Sequence, residues 1–326
     1  MTREGSAKTG LARGGVGMLS GLWDSTGMLL VLVALLIGVS ILVPNFFSLV
    51  NFKGLALSVA TVGLLSCTML FCLAGGDFDL SVGSVVALTG VLAATVTNQT
   101  GSVAVGILSG VLAGGLVGLT NGIVIGWLGI NALITTLATM QIVRGLGYIV
   151  SDGKAIGVSE TAFFALGITD FLGIPTPVWI MVACFLIFGL LLNKTTFGRN
   201  TLAIGGSIEA ARLAGIAVTR TKITIFALQG LMAGFAGVIL AARMTSGQPK
   251  TAEGLELQVI SACVLGGVSL TGGVGTILGA IVGVLIMGTV QNAMNLLNIP
   301  PFYQYVASGT ILLAAVLIDR LKSRRL

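Results

Sequence analysis

Between residues 28 and 319 the sequence is dominated by apolar stretches, at 28–43, 55–74, 80–97, 102–128, 132–150, 177–193, 222–242, 258–271, 274–296 and 303–319. A helix needs about 20 apolar residues to cross the hydrocarbon core of a bilayer. Inside that core each backbone N–H and C=O must find its partner within the segment, which leaves helices as the spanning element for runs of this length. The pattern predicts an all-α, polytopic integral membrane protein with about ten transmembrane helices. Composition agrees: charged residues make up 9%, against roughly 25% in soluble domains. The 48 glycines suit helices that approach each other closely. A soluble domain with an oversized core has no need of runs this long. The fourth run is long enough to tilt or kink, and the eighth is short.

Ten crossings put both termini on one side. With the N-terminus inside, the inner segments hold Arg3, Lys8, Arg13, Lys194, Arg199, Arg212, Arg220, Lys222, Arg320, Lys322, Arg324 and Arg325. The outer segments hold Lys53, Lys154, Arg243 and Lys250, and Arg144 falls within a span. Twelve against four assigns both termini to the cytoplasm. The net charge of +6 is thus a matter of orientation, and no basic, aromatic-studded patch points to nucleic acid. The opening MTREGSAKTGLARGG, polar and basic without an adjoining apolar core, is expected to be a cytoplasmic tail (1–22) rather than a signal peptide. A single transmembrane domain (23–320) and a second cytoplasmic tail (321–326) follow.

The sequence has no histidine, which excludes His-based triads, His metal sites and His proton relays. Cys67, Cys72, Cys184 and Cys263 lie in apolar runs without CxxC spacing and read as buried small hydrophobes. An integral membrane enzyme therefore has little to work with, and neither metal nor catalytic residues are expected.

An internal repeat is visible. DLSVGSVVALTG (79–90) over ELQVISACVLGG (256–267) pairs Asp79 with Glu256, Val82 with Val259, Ser84 with Ser261 and Gly90 with Gly267, at a constant offset of 177. Spans two to five shifted by that offset fall near spans seven to ten. One copy follows an even-numbered span and the other an odd-numbered one, so the halves run in opposite senses, a 5+5 inverted repeat as in many transporters.

The stretch AGGDFDLSVGS (74–84) places two carboxylates between membrane-length runs. A carboxylate in hydrocarbon costs roughly 2.5–3.5 kcal/mol on insertion scales. Asp77, Asp79 and Glu256 must therefore sit at interfaces, line wet cavities or find partners. Asp79 before Leu-Ser-Val reads as a helix cap, and a polar waypoint for a hydroxylated solute is the functional alternative. An ion-coupled secondary transporter would instead use these acids as proton or sodium sites. The membrane-embedded Asn121, Asn131, Gln141, Gln258, Gln291, Asn292 and Asn295 either bond neighbouring helices or line the route, and Arg144 reads as a structural partner for a carboxylate or for carbonyls.

The largest polar segment on the inner side is KTTFGRNTLAIGGSIEAARLAGIAVTRTK (194–222). Within it SIEAARLAG predicts a short helix capped by Ser207 and stopped by Gly215. Its small Ala210, Ala211 and Ala214 would form a flat face for another protein. No GxxxxGK[ST] phosphate loop occurs in the chain. If ATP drives transport, the ATPase is a separate chain, and this loop is the surface it would grip.

AGGDFDLSVGS, INALITTLATMQIVRGLGYIVSDGKAIG, LLLNKTTFGRNTLAIGG, EAARLAG, ARMTSGQP and NAMNLLNI resemble the permease subunits of bacterial ABC importers for monosaccharides, of the ribose and arabinose type. The likeness runs from about 23 to 320, and the blocks 130–157 and 191–206 follow the arabinose subgroup. The resemblance implies L-arabinose as cargo, with ribose, galactose or xylose as alternatives. It implies a two-cassette ATP-binding subunit holding ATP and Mg, a periplasmic sugar-binding protein, a second permease copy, and an inner-membrane location. Glu209, Ala210, Ala211 and Gly215 match the family's coupling segment, so that Gly205, Gly206, Glu209, Ala210, Ala211, Arg212 and Gly215 are the expected ATPase-coupling residues. After Gly215 the chain continues IAVTRTK rather than the Ile-x-Leu-Pro of more distant importers.

Overall fold

The computed structural model describes residues 27–323, with side chains described through Leu317. The tail expected at 1–22, with Arg3, Lys8 and Arg13, lies outside the described residues, as do Arg324, Arg325 and the side chains of Arg320 and Lys322.

Each of the ten apolar stretches carries a helix. These are α1 (Gly27–Leu42), α2 (Leu49–Ala74), α3 (Val82–Thr100), α4 (Val103–Gly126), α5 (Ala132–Ser151), α7 (Thr176–Lys194), α10 (Val218–Met244), α11 (Leu255–Leu265), α12 (Ile277–Leu296) and α13 (Pro301–Ser323). Between them lie the short α6 (Ala165–Ile168), α8 (Thr196–Gly206) and α9 (Ile208–Leu213). Seven of the described helices, α2, α3, α4, α5, α7, α10 and α12, are long and apolar enough to cross a membrane. α1, α11 and the apolar part of α13 are shorter.

Local chemistry sets the ends. Ser48, Ser102 and Thr276 cap α2, α4 and α12 by accepting an otherwise unpaired first-turn N–H. α2 closes in a Schellman turn: Gly76 at φ +82° lets the Asp77 N–H reach the Cys72 carbonyl at 3.0 Å. The span expected at 258–271 is corrected by α11, which ends at Leu265. The run GGVSLTGGVG that follows folds into a turn, with the Ser269 N–H on the Val274 carbonyl at 3.0 Å, because so dense a set of glycines favours turn over helix.

The repeat is visible in the packing. α3 lies on α4 and α5 as α11 lies on α12 and α13, and α4 crosses α10 as α12 crosses α2. The repeat-related α2 and α10 are antiparallel. The end of α2 meets the start of α10 through Asp77 and Lys222, while Arg243, in the last turn of α10, donates to the Leu57 carbonyl near the start of α2 at 3.2 Å. Opposite chain direction in equivalent helices is the geometry of an inverted repeat.

Gly106, Gly110, Gly114, Gly118, Gly122 and Gly126 recur every fourth residue of α4, forming one stripe down the helix. From Gly110 to Gly126 that stripe faces α10, while Gly106 meets Ala93 and Thr97 of α3. A Cβ at Gly118 would lie 2.8 Å from the Gly230 Cα, and one at Gly114 would lie 2.7 Å from the Gly234 Cα. The two backbones are therefore in direct contact, as small residues at every fourth position permit. The buried core is centred on α2, α3, α10 and α11, with Leu64, Leu65, Leu70, Phe226 and Val259 inaccessible. Two short antiparallel pairs, β1 (Ile156–Gly157) with β4 (Ser246–Gly247) and β2 (Asp170–Phe171) with β3 (Ile174–Pro175), tie down the connections that follow α5 and α10.

Candidate transport path and coupling loop

The acidic connector between α2 and α3 is not an open pair of carboxylates. Asp77 Oδ2 lies 2.7 Å from Lys222 Nζ, with the two side chains 13% and 12% exposed. The ammonium thus sits beside the carbonyl end of α2 and the carboxylate beside the amide end of α10, each at the favourable pole of the other's helix. Removing one partner of such a buried pair leaves the other charge uncompensated, typically at a cost of about 3–5 kcal/mol. Sequence reading counted Lys222 as a loop charge and missed this partner. The signal available was a lysine opening an apolar run.

Asp79 is 2% exposed, and its Oδ1 accepts the Ser81 N–H at 2.9 Å and the Ser81 hydroxyl at 2.6 Å. The expected cap is displaced. α3 begins at Val82 with Ser81 in the cap position, and Asp79 serves the helix start from two residues upstream. Ser81 Oγ in turn accepts from Asn121 Nδ2 at 3.1 Å, and Asn121 Oδ1 accepts from the Thr139 hydroxyl at 2.7 Å. One polar chain therefore joins the start of α3 to α4 and α5. Ser81 and Thr139 were not singled out by sequence, since hydroxyls are common in apolar helices.

Glu256 stands in the first turn of α11, half-buried, and its Oε2 presses with the Ala252 carbonyl on the backbone of Gly83, where a side chain would not fit. The aligned acids Asp79 and Glu256 thus meet around the opening turn of α3. Arg144 on α5 donates to the Pro249 and Thr251 carbonyls at 2.9 and 2.8 Å, in line with its expected structural role.

The amide residues divide. Gln258 and Gln291 share a small cleft with Ser58 between α2, α11 and α12. Asn292 exchanges two hydrogen bonds with Asn51, at 2.8 and 3.0 Å, so it is a strut between α12 and α2 rather than a free pathway group. Asn131 caps α5, accepting from the Leu133 and Ile134 amides. Gln141 is exposed on α5. The side chain of Gln229 on α10, fully buried, has neither amide atom hydrogen-bonded among the described residues, and sequence reading passed over it.

The loop between α7 and α10 is more ordered than expected. α8, where no helix was expected, is capped by Thr195, whose hydroxyl accepts the Gly198 N–H at 3.3 Å. Ser207 caps α9 as predicted, accepting the Ala210 N–H at 3.2 Å. Gly215, at φ +78°, closes α9 with the Gly215 N–H on Arg212 and the Ile216 N–H on Ala211, both at 3.0 Å. The flat alanine face is corrected. Ala211 is buried against Ile204 and Val218, because it lies a full 100° from Ala210 around the helix. Ala210 and Ala214, four apart, stay exposed beside Glu209, Arg212 and Leu213, the last 86% exposed. Gly205 packs backbone to backbone on the Ala74 carbonyl and the Gly273 amide, while Gly206 is exposed.

The chain matches a protein family over residues 51–316, described as the permease component of the branched-chain amino acid transport system. It is 63% identical over 303 residues to the L-arabinose transport system permease protein AraH of Escherichia coli (strain K12), covering 93% of this chain and 92% of the relative. It is 56% identical to the L-arabinose ABC transporter permease protein AraH of Azospirillum brasilense, covering 95% and 90%. It is 44% identical to the ribose import permease protein RbsC of Bacillus subtilis (strain 168), covering 93% and 95%. No solved structure matches the chain. The helical membrane architecture, the ordered loop and identity maintained along nearly the whole length make the chain a member of this permease family, alongside the arabinose and ribose permeases of ABC transporters.

Proposed function

We propose that the chain is the membrane permease of an ATP-driven importer that carries L-arabinose across the bacterial inner membrane. The observation that carries the reading is the 63% identity to an L-arabinose permease over 93% of the chain, a span that includes both the acidic connector and the loop. The family description names branched-chain amino acids, but the more similar relatives are sugar permeases, and an apolar lining with scattered amides and hydroxyls suits a neutral polyol better than a zwitterion. A periplasmic binding protein supplies affinity from outside, so the permease itself needs no tight sugar site. Inside, a two-cassette ATPase grips the exposed side of α9 through Glu209, Ala210, Arg212, Leu213 and Ala214. Two copies of the chain, termini in the cytoplasm, form the pathway, and the partly exposed Glu256, Gln258 and Gln291 face the sugar on its way. ATP and Mg are held by the partner chain.

The cargo is tested in cells lacking their own arabinose permease and expressing this chain with its partner subunits. Labelled L-arabinose should accumulate, and unlabelled ribose, galactose or xylose in excess should compete weakly. Restored uptake of ribose without arabinose would reassign the substrate.

A further inference from the structure

The loop that carries α8 and α9 is fastened to the bundle twice, at one place. On the α8 side, Gly205 lies against the Ala74 carbonyl, which also accepts the Gly273 N–H at 2.9 Å. On the α10 side, just after the loop re-enters the bundle, Lys222 holds Asp77 at 2.7 Å. Ala74 and Asp77 belong to the same turn closing α2, so both fastenings grip the same four residues. Those residues run directly into 78–82, where Asp79 and Ser81 start the hydrogen-bonded chain to Asn121 on α4 and Thr139 on α5.

The two fastenings differ in mechanical character. A backbone contact resists approach but does nothing to prevent separation. An ion pair of low exposure, aligned with both helix poles, resists separation. Together they hold the end of α2 to the loop for movement in either sense.

We infer that Asp77 and Lys222 are positioning residues of the transport cycle, which carry displacement of the α8–α9 loop into the 77–82 segment and so to the starts of α3 and its polar chain. The inference rests on the reading of this loop as the ATPase's docking surface. The pair touches neither sugar nor nucleotide. Its action is on the ratio between the two events.

The test uses the complete transporter, permease with ATPase and binding protein, in liposomes, and measures L-arabinose taken up per ATP hydrolysed. The variants are Asp77→Asn, Lys222→Gln, the apolar double Asp77→Leu/Lys222→Met, and the charge-reversed double Asp77→Lys/Lys222→Asp. Because an unpaired buried charge can prevent folding, the apolar double carries the test where a single variant fails to insert. Each inserted variant should still copurify with the ATPase. The singles and the apolar double should lose about tenfold in sugar per ATP, the scale at which residues along a coupling route act. The reversed double should regain part of that loss, since the pair is restored while each charge now faces the unfavourable pole of the other's helix. Sugar per ATP unchanged in the apolar double would overturn the inference. The docking reading fails separately, if Leu213→Glu leaves ATPase copurification intact.

Discussion

Two seams occupy equivalent places in the inverted repeat and are built from different materials. Where α4 crosses α10, five glycines at every fourth residue, Gly110 to Gly126, bring backbone onto backbone. Where α12 crosses α2, only Gly288 makes a close approach, and it meets the Val59 side chain. Beside it lie the Asn51–Asn292 amide pair, the Gln258–Gln291 cleft and apolar side chains including Leu55, Val62, Val284 and Met287. The repeat dictates that the crossings exist, and the side chains decide their stiffness. Interlocked backbones have no rotamer to change, whereas a seam of amides and a branched side chain can repack. The α4–α10 seam is therefore suited to act as a fixed block, and the α2–α12 seam, at the start of α2 and opposite the end that receives the loop, as the element that gives.

The sharpest way to break this contrast is one substitution made in both seams. Gly118→Ala puts a methyl against the Gly230 backbone, which has nowhere to move, and should cost about 3 kcal/mol or more, the upper range for overpacking. Yield of folded protein in the membrane and thermal stability in detergent should both fall sharply. Gly288→Ala meets Val59 Cγ1, a side-chain atom rather than backbone, and should cost less, about 2 kcal/mol. Equal losses would erase the distinction between rigid and yielding seams.

A smaller effect is expected at the amide pair. Asn292→Leu strands Asn51 and should cost about 1–2 kcal/mol. The double Asn51→Leu/Asn292→Leu should lose less than the single, since both polar groups are then gone, and denaturation of the purified permease would show the order. Losses that simply add would mean the pair is not a unit. The smallest change should come from Lys53→Ala. Its pair with Asp170 lies at 3.1 Å with both side chains well exposed, a setting that contributes about 0–1 kcal/mol. A large loss there would move the balance of stability out of the seams altogether.

Much of the fold was legible in the sequence because desolvation acts locally. An apolar run of sufficient length must become a helix wherever it is inserted, and each expected run carries one. The expected boundaries slipped where a charge interrupted the window. α2 begins at Leu49 rather than 55 because Lys53 is held at the surface by Asp170, and α10 begins at Val218 rather than 222 because Arg220, in its first turn, stays exposed. The α9 cap and stop, Ser207 and Gly215, were also readable, since capping involves neighbours only a few residues away. α8 was not, because its buried face of Gly198, Thr201 and Ile204 is marked by small and polar residues rather than by an apolar stripe.

The candidate site was legible in kind and not in arrangement. That Asp77, Asp79 and Glu256 require partners follows from the cost of burying charge, and it could be written from the residues alone. Which partner each one takes could not. Lys222 for Asp77, the Ser81–Asn121–Thr139 chain for Asp79, and the Gly83 backbone against Glu256 all come from segments distant in the chain, with the exception of Ser81. Hydrophobic runs and capping motifs carry their information in consecutive residues, so membrane insertion, helix content and the inverted pairing of halves were settled before any tertiary contact formed. Pairing of polar groups across helices depends on the rotation and depth of each helix, set by how glycine and bulky side chains interlock, and only the folded bundle supplies those.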